Sequence, residues 1–238
     1  MTNKQSIILV TVALILLGSI IFFLLFSSLF TITTDNSLDD GEIVNIDNTT
    51  LGVPVSDPLI TPVAKVYKSF IRPDDPVRGT NNSGLTILEF GDFECPYCAQ
   101  IYLDLIKILD EHRGEVRLVW KDFVSPVHIN GRQAALAARC AAEQNKFWEY
   151  HDYLFENQSM LSRELYNQIA LELELDLATF NNCLDNQSII EYIGQGLEDG
   201  QRLGVDATPF LFIGNTKINF ALTYEELKEV VEYELNNQ

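Results

Sequence analysis

Two cysteines three positions apart, Cys95-Pro96-Tyr97-Cys98, stand where an apolar run gives way to a helical pattern. Ahead of them, Leu85-Thr-Ile-Leu-Glu-Phe90 is a short apolar run ended by Gly91-Asp92, which reads as a buried strand. Behind them, Tyr102, Leu105, Ile106 and Leu109 recur at i, i+3, i+4 and i+7, the stripe of an amphipathic helix. Val116, Leu118 and Trp120 then alternate with Arg117, Val119 and Lys121, giving a second strand. The order β-α-β makes a parallel pair with a right-handed crossover the default. The chain must therefore place a dithiol at the mouth of a helix, straight after a core strand.

That position has a chemical consequence. Unpaired N–H groups and the macrodipole at a helix N-terminus favour an anion, so the first cysteine is biased toward the thiolate. The second lies one turn on, close enough to close a disulfide. Pro96 fits the first turn, where no N–H is needed. Cys95 is thus the candidate attacking thiol and Cys98 the buried resolving thiol, with exchange running through a mixed disulfide on Cys95. Half of a metal site and an inert structural disulfide are the competing readings. A zinc site usually has a second C-x-x-C or a His pair at ligand spacing. The other cysteines, Cys140 and Cys183, and the histidines, His112, His128 and His151, fall at no such spacing. No metal and no cofactor are expected.

From about Asn130 to Leu203 the pattern is helical, Ala-rich early and aromatic between Phe147 and Phe155. The aromatic stripe reads as core, with His128 and the end of the stripe as candidates for lining a groove. Pro209-Phe-Leu-Phe-Ile213 and Lys217-Ile-Asn-Phe220 flank Gly214-Asn215, a turn pair that predicts a β-hairpin. A final helix starts at Thr223, with Glu226 three residues on as a capping box.

The N-terminal quarter is different. Ile7 to Phe26 is almost wholly apolar, and Lys4 is the only charged side chain before Asp35. Twenty helical residues span about 30 Å, the thickness of a bilayer core. A signal peptide would have a shorter apolar region and a small-residue cleavage site. The run predicts an uncleaved single-pass anchor, with the N-terminus cytoplasmic and the rest extracytoplasmic. The chain carries 16 Lys+Arg against 34 Asp+Glu, a net charge of −18. Such a balance argues against a nucleic-acid binder and against docking through a polybasic patch. Residues 31 to about 83 hold five of the 8 prolines and no sustained periodicity, the marks of a spacer. Within it, Val63-Ala-Lys-Val-Tyr-Lys-Ser-Phe-Ile71 is a candidate short helix or strand that docks on the domain.

Strand, Cys-Pro-x-Cys at a helix start, helical insertion, and a late Thr208-Pro209 before a strand together resemble the thioredoxin fold of DsbA-like thiol-disulfide oxidoreductases. Asp74-Asp-Pro-Val77, Thr86-Ile-Leu-Glu-Phe-Gly-Asp-Phe-Glu-Cys95 and Lys146-Phe-Trp-Glu-Tyr-His-Asp-Tyr-Leu-Phe155 resemble stretches of membrane-anchored or secreted bacterial members. The implied fold class is α/β: a thioredoxin fold with a helical insertion, preceded by a transmembrane helix and linker. The implied organisation is 1–30 cytoplasmic tip and anchor, 31–70 flexible linker, and 71–238 domain, with the insertion at about 128–204.

The resemblance also implies roles. Thr208-Pro209 matches the cis-proline loop that faces the dithiol. Glu89 shares a strand face with Leu85 and Ile87 and matches the family's buried acid, which assists proton transfer at Cys98. Lys121 on the next strand is its candidate partner, with a surface-edge salt bridge as the bland alternative. Some DsbA proteins carry His where Tyr97 stands, so a cationic neighbour of the thiolate is missing from the motif. Four cysteines allow three pairings. Cys95–Cys98 with a structural Cys140–Cys183 bond is favoured, against two buried free thiols or a relay between the pairs.

The implied function is disulfide donation to exported proteins with cysteine thiols, reoxidised by an unidentified membrane or small-molecule partner. A reductase or isomerase of the same fold is the first alternative. A non-catalytic metal-binding thiol module is the second. A fused accessory domain of a transporter is a third, for which no residue pattern speaks.

Overall fold

The structure, a computed structural model, describes residues 61–62, 65–187 and 189–237. The expected anchor and most of the expected linker lie outside the described residues. No helix among the described residues is long and apolar enough to cross a membrane.

In chain order the elements are β1 (Thr61–Pro62), a 3-10 turn (Lys65–Phe70), β2 (Val77–Arg78), β3 (Leu85–Gly91), α1 (Pro96–Glu111) and β4 (Val116–Asp122). The helices α2 (Gly131–Ala142), α3 (Phe147–Glu156), α4 (Arg163–Glu172), α5 (Leu177–Asn186) and α6 (Ile190–Leu203) follow. The chain closes with β5 (Phe210–Ile213), β6 (Thr216–Ile218) and α7 (Tyr224–Asn236). The sheet runs β1-β6-β5-β3-β4-β2. β3 and β4 pair in parallel around α1, and the remaining pairings are antiparallel. This is the α/β thioredoxin architecture with its mixed sheet.

Every residue of β3 is buried, because helices or loops cover both faces of this central strand. Leu85 and Ile87 pack with Ile101, Leu105 and Ile108 of α1 and Leu227 and Val231 of α7. Leu88 and Phe90 face the other way, against Val119, Phe212 and Tyr67. Among the described residues, the helical stretch from residue 130 resolves into five α-helices and a short 3-10 turn at Gln158–Met160. Residues with positive φ interrupt it at Asn145, Glu174 and Gln187. Ser162 caps α4 by accepting from Leu165 N, and Asp176 caps α5 by accepting from Thr179 N. The aromatic stripe of α3 is core: Phe147, Tyr150, Leu154 and Phe155 are buried.

The hairpin turns on Gly214-Asn215, with Ile213 opposite Thr216. Gly214 has φ 58°, and a Cβ there would lie 2.0 Å from the Glu234 carboxylate. That carboxylate, buried in α7, accepts from Asn215 N at 2.9 Å and Thr216 Oγ1 at 2.8 Å. Thr223 and Glu226 form the capping box that starts α7.

The expected linker, 31–70, overlaps the candidate docking segment 63–71, and there the structure shows docking: Tyr67, in the 3-10 turn, is fully buried. Its hydroxyl donates to Thr86 O at 3.2 Å, and its ring stacks on Phe212 with centroids 5.3 Å apart. One buried aromatic removes enough apolar area from water to hold a short segment down. The packed domain therefore starts before Ile71.

Candidate active site

Cys95 is the N-cap of α1, and Pro96 occupies its first position. The Cys95 N–H donates to Asp92 O at 3.0 Å, which closes the turn between β3 and α1. Cys95 and Cys98 are both free thiols. Cys98 is fully buried, whereas Cys95 keeps 4% of its surface and opens onto a groove. Thr208-Pro209 is a cis peptide unit, and the Cys95 thiol donates to Thr208 O at 3.2 Å. Four of the expected site residues, Cys95, Cys98, Thr208 and Pro209, thus come together from two distant parts of the chain.

The two thiols are pushed in opposite directions. A hydrogen bond from Cys98 holds the Cys95 pKa down at about 5 against its burial, helped by the Thr208 side chain and the backbone N–H groups of Cys98 and Tyr97. Burial drives Cys98 well above the ordinary thiol range, and the charges on Cys95 and Glu89 add to this. Tyr97 is 60% exposed and stands at the rim.

Glu89 lies on the dithiol side of β3 and is 1% exposed. Its Oε1 has no hydrogen-bond partner. Burial raises its pKa to about 8, with the Cys95 charge adding and Arg78 opposing. Glu89 is therefore a buried acid held protonated near neutrality. Lys121 is not its partner. In the β3–β4 register Glu89 sits opposite Trp120, and Phe90 sits opposite Lys121. Side chains alternate faces along a strand, so Lys121 emerges on the far face. There its Nζ binds Asp75 at 2.7 Å and Asp199 at 2.9 Å. Asp199 also takes a two-pronged hydrogen bond from Arg72.

Cys140 and Cys183 form a disulfide that ties α2 to α5. Both lie in the helical core cluster that also packs against Cys95 and Cys98.

Several site residues escaped the sequence reading. Asp92, fully buried, accepts from Glu94 N at 2.9 Å, from Ser125 N at 2.8 Å, and contacts His128 Nδ1 at 2.7 Å. Glu94 accepts from Asn130 N and Gly131 N at 2.5 and 2.7 Å, capping the start of α2. A Cβ at Gly131 would lie 2.5 Å from Asp92 Oδ1, so the close approach requires glycine. Gln158 Nε2 donates to the carbonyls of Phe93 and Cys95 at 2.9 and 2.8 Å. The two acids flanking Phe93 thus staple the 125–131 loop beside the dithiol. Between that loop, α6 and Thr208 runs a groove of about 640 Å³, lined by Cys95, Tyr97, His128, Leu197 and Asp206 among others. An adjoining apolar hollow of about 480 Å³ continues it past Ile129, Ile190 and Ile193.

The profile of the thioredoxin family matches residues 72–233. The chain belongs to the thioredoxin family. Disulfide bond formation protein D of Bacillus subtilis is a relative, 27% identical over 177 residues, 68% of this chain and 78% of that protein. Oxidised BdbD from the same organism superposes with TM-score 0.63 at 25% identity, covering 68% of this chain and 94% of that one. A DsbA-like neighbour, the thiol-disulfide exchange protein alpha-DsbA2 of Wolbachia pipientis, gives TM-score 0.63 at 25% identity, covering 70% and 91%. Na(+)/H(+) antiporter NhaA 3 of Salinispora tropica is 34% identical over 163 residues, 68% of this chain and 25% of the antiporter. The chain thus spans about a quarter of the length of the antiporters it matches.

Proposed function

We propose that this chain is an extracytoplasmic thiol-disulfide oxidoreductase that donates the Cys95–Cys98 disulfide to cysteine pairs of exported proteins. The observation that carries this reading is the asymmetry of the two thiols. Cys95 opens onto a groove with its pKa held down at about 5, beside Cys98, which is fully buried and held well above the ordinary range. The match to disulfide bond formation protein D extends over 78% of that protein, so it bears on a whole activity rather than on a shared part.

In the forward direction a substrate thiolate attacks Cys95 Sγ of the oxidised pair. A substrate–Cys95 disulfide forms, the Cys95–Cys98 bond breaks, and the electron pair leaves on Cys98. Glu89, protonated near neutrality, is the buried acid that supplies a proton to that sulfur. A second substrate thiolate then attacks the substrate sulfur, and Cys95 departs as a thiolate. Two electrons have moved from substrate to enzyme. A low leaving-group pKa speeds the last step, and a stabilised thiolate favours the reduced enzyme, so both support donation. The reduced enzyme then needs a membrane or small-molecule oxidant.

The apolar run Ile7–Phe26 supports a single-pass anchor, with residues 1–30 as tip and anchor and the catalytic domain outside the membrane.

The test is trapping. Full-length Cys98→Ser, mixed with a peptide disulfide, is expected to accumulate a mixed disulfide on Cys95. Oxidised wild type is expected to convert a dithiol peptide to its disulfide stoichiometrically. No adduct on Cys95 and no peptide oxidation would overturn the reading.

A further inference from the structure

We propose that His128, held by the buried carboxylate of Asp92, is the cationic neighbour of the Cys95 thiolate. The inference rests on the reading above in one respect, that Cys95 is the exchanging thiol. The motif itself offers no cation, because Tyr97 occupies the position between Pro96 and Cys98. The fold supplies one from another segment.

His128 Nδ1 is 2.7 Å from Asp92 Oδ2, and a carboxylate accepts, so Nδ1 carries the proton. The Asp92 side chain is fully buried, while the imidazole is 23% exposed. The imidazole is therefore the end of the pair presented to the groove that Cys95 lines, and a second proton on the ring puts a positive charge there. Asp92 is fixed independently by Glu94 N and Ser125 N, and Glu94 grips Asn130 and Gly131 on the other side of His128. The loop carrying His128 is thus bound to the segment that carries Cys95. Among the described residues lining the Cys95 groove, the other titratable side chains are Cys95, Tyr97 and Asp206. Arg132 lines only the adjoining hollow, and it donates to Gln187. Burial works against the charged imidazole, but the hydrogen bond and charge of Asp92, with the negative charges on Cys95 and Glu94, raise its pKa above the ordinary value.

An imidazolium beside a thiolate favours the reduced enzyme and makes Cys95 a better leaving group. His128 acts through the charge on Cys95 and needs no bond to substrate. This gives the dithiol a thiolate-stabilising charge that the Cys-Pro-Tyr-Cys sequence does not encode.

Two measurements test it. In the first, reduced full-length His128→Asn, which keeps a donor toward Asp92, is alkylated with iodoacetamide across pH 4 to 8. A loss of half to one unit of thiolate stabilisation slows alkylation at pH 5 about two- to fivefold. The equilibrium with glutathione is expected to move about three- to tenfold toward the enzyme disulfide. In the second, the His128 ring of the wild type is titrated by NMR in the oxidised and the reduced protein. Coupling is reciprocal, so the imidazole must hold its proton to higher pH when the thiolate is present. Equal His128 titrations in the two redox states, or an unchanged alkylation profile in a folded variant, overturn the proposal. If the variant does not fold, the wild-type titration decides alone. Failure of the dithiol to oxidise peptides would sink the functional reading and leave both titrations readable.

Discussion

Glu89 and Lys121 stand on adjacent parallel strands one register step apart, yet they face opposite sides of the sheet. The consequence is a division of labour. Glu89 lies with the dithiol and has an oxygen without a partner, so it is free to exchange a proton. Lys121 is locked between Asp75 and Asp199, behind the sheet. It joins the segment ahead of β2 to α6, the helix that leads into Thr208.

Glu89→Gln is expected to slow turnover at neutral pH while raising stability. The folded pKa of about 8 lies above the unfolded carboxylate value. Between those two the native state holds a proton that the unfolded chain has lost, so wild-type stability falls as pH rises through that window. Gln removes this penalty, about 1–3 kcal/mol at pH 7. Losing a general acid costs about 10²-fold in rate. Thermal melts at pH 5 and 8 beside peptide oxidation rates check both halves. An unchanged rate would remove Glu89 from the mechanism.

Lys121→Met is expected to destabilise the fold by about 3–5 kcal/mol, because it takes the paired ammonium from buried Asp75 and leaves Asp199 to Arg72 alone. Burial already raises the Asp75 pKa against the pull of Lys121. Without the ammonium, the loss should deepen as pH rises through the carboxylate range. Urea unfolding at pH 4.5 and 7 measures this. Cys95 alkylation in the folded fraction should match wild type, and a shifted profile would return Lys121 to the site.

The dithiol was legible because it is local in sequence: Cys95 and Cys98 carry their geometry in four residues. Thr208-Pro209, more than a hundred positions on, was placed only by the family resemblance. The period of a strand turned Glu89 inward correctly. The alternation along the next strand separates Lys121 from Trp120, but which of them shares a face with Glu89 depends on the β3–β4 register, which no single strand encodes. Asp92 and Glu94 bracket Phe93 just past the strand, and nothing in their local pattern marks a role. Their partners, Ser125, His128, Asn130 and Gly131, lie more than thirty positions on. Gln158 binds the Cys95 carbonyl from farther still. Such contacts are set by how helices pack on the sheet, and no short-range pattern encodes that. Tyr67 sits in the candidate docking segment, and its one buried ring outweighs the proline-rich, aperiodic context that put the domain boundary at residue 71.

Cys140→Ser with Cys183→Ser is expected to lower stability by about 4 kcal/mol in the chain-entropy picture, for a sequence separation of 43. Peptide oxidation should persist, because the bond ties α2 to α5 while exchange runs on Cys95 and Cys98. Denaturant midpoints and turnover of the double variant measure the two effects. A folded variant without activity would mean that the second disulfide takes part in exchange.

Thr208→Val is expected to raise the Cys95 pKa, since it deletes a side-chain hydrogen bond to the thiolate. Iodoacetamide rates in wild type should rise with pH through an inflection near 5, and in the variant about half to one unit higher. Cys98 should stay unmodified throughout the neutral range, being buried with a raised pKa. Early labelling of Cys98 would reverse the assignment of the two thiols.

The most direct test is the reduction potential of the Cys95–Cys98 pair in the full chain, measured in glutathione buffers with the Cys140→Ser/Cys183→Ser variant as control. A stabilised Cys95 thiolate predicts a value toward the oxidising end, near about −120 mV, with the enzyme giving up its disulfide. A value near about −270 mV would mean that electrons flow from this dithiol to its substrates, and disulfide donation would be contradicted.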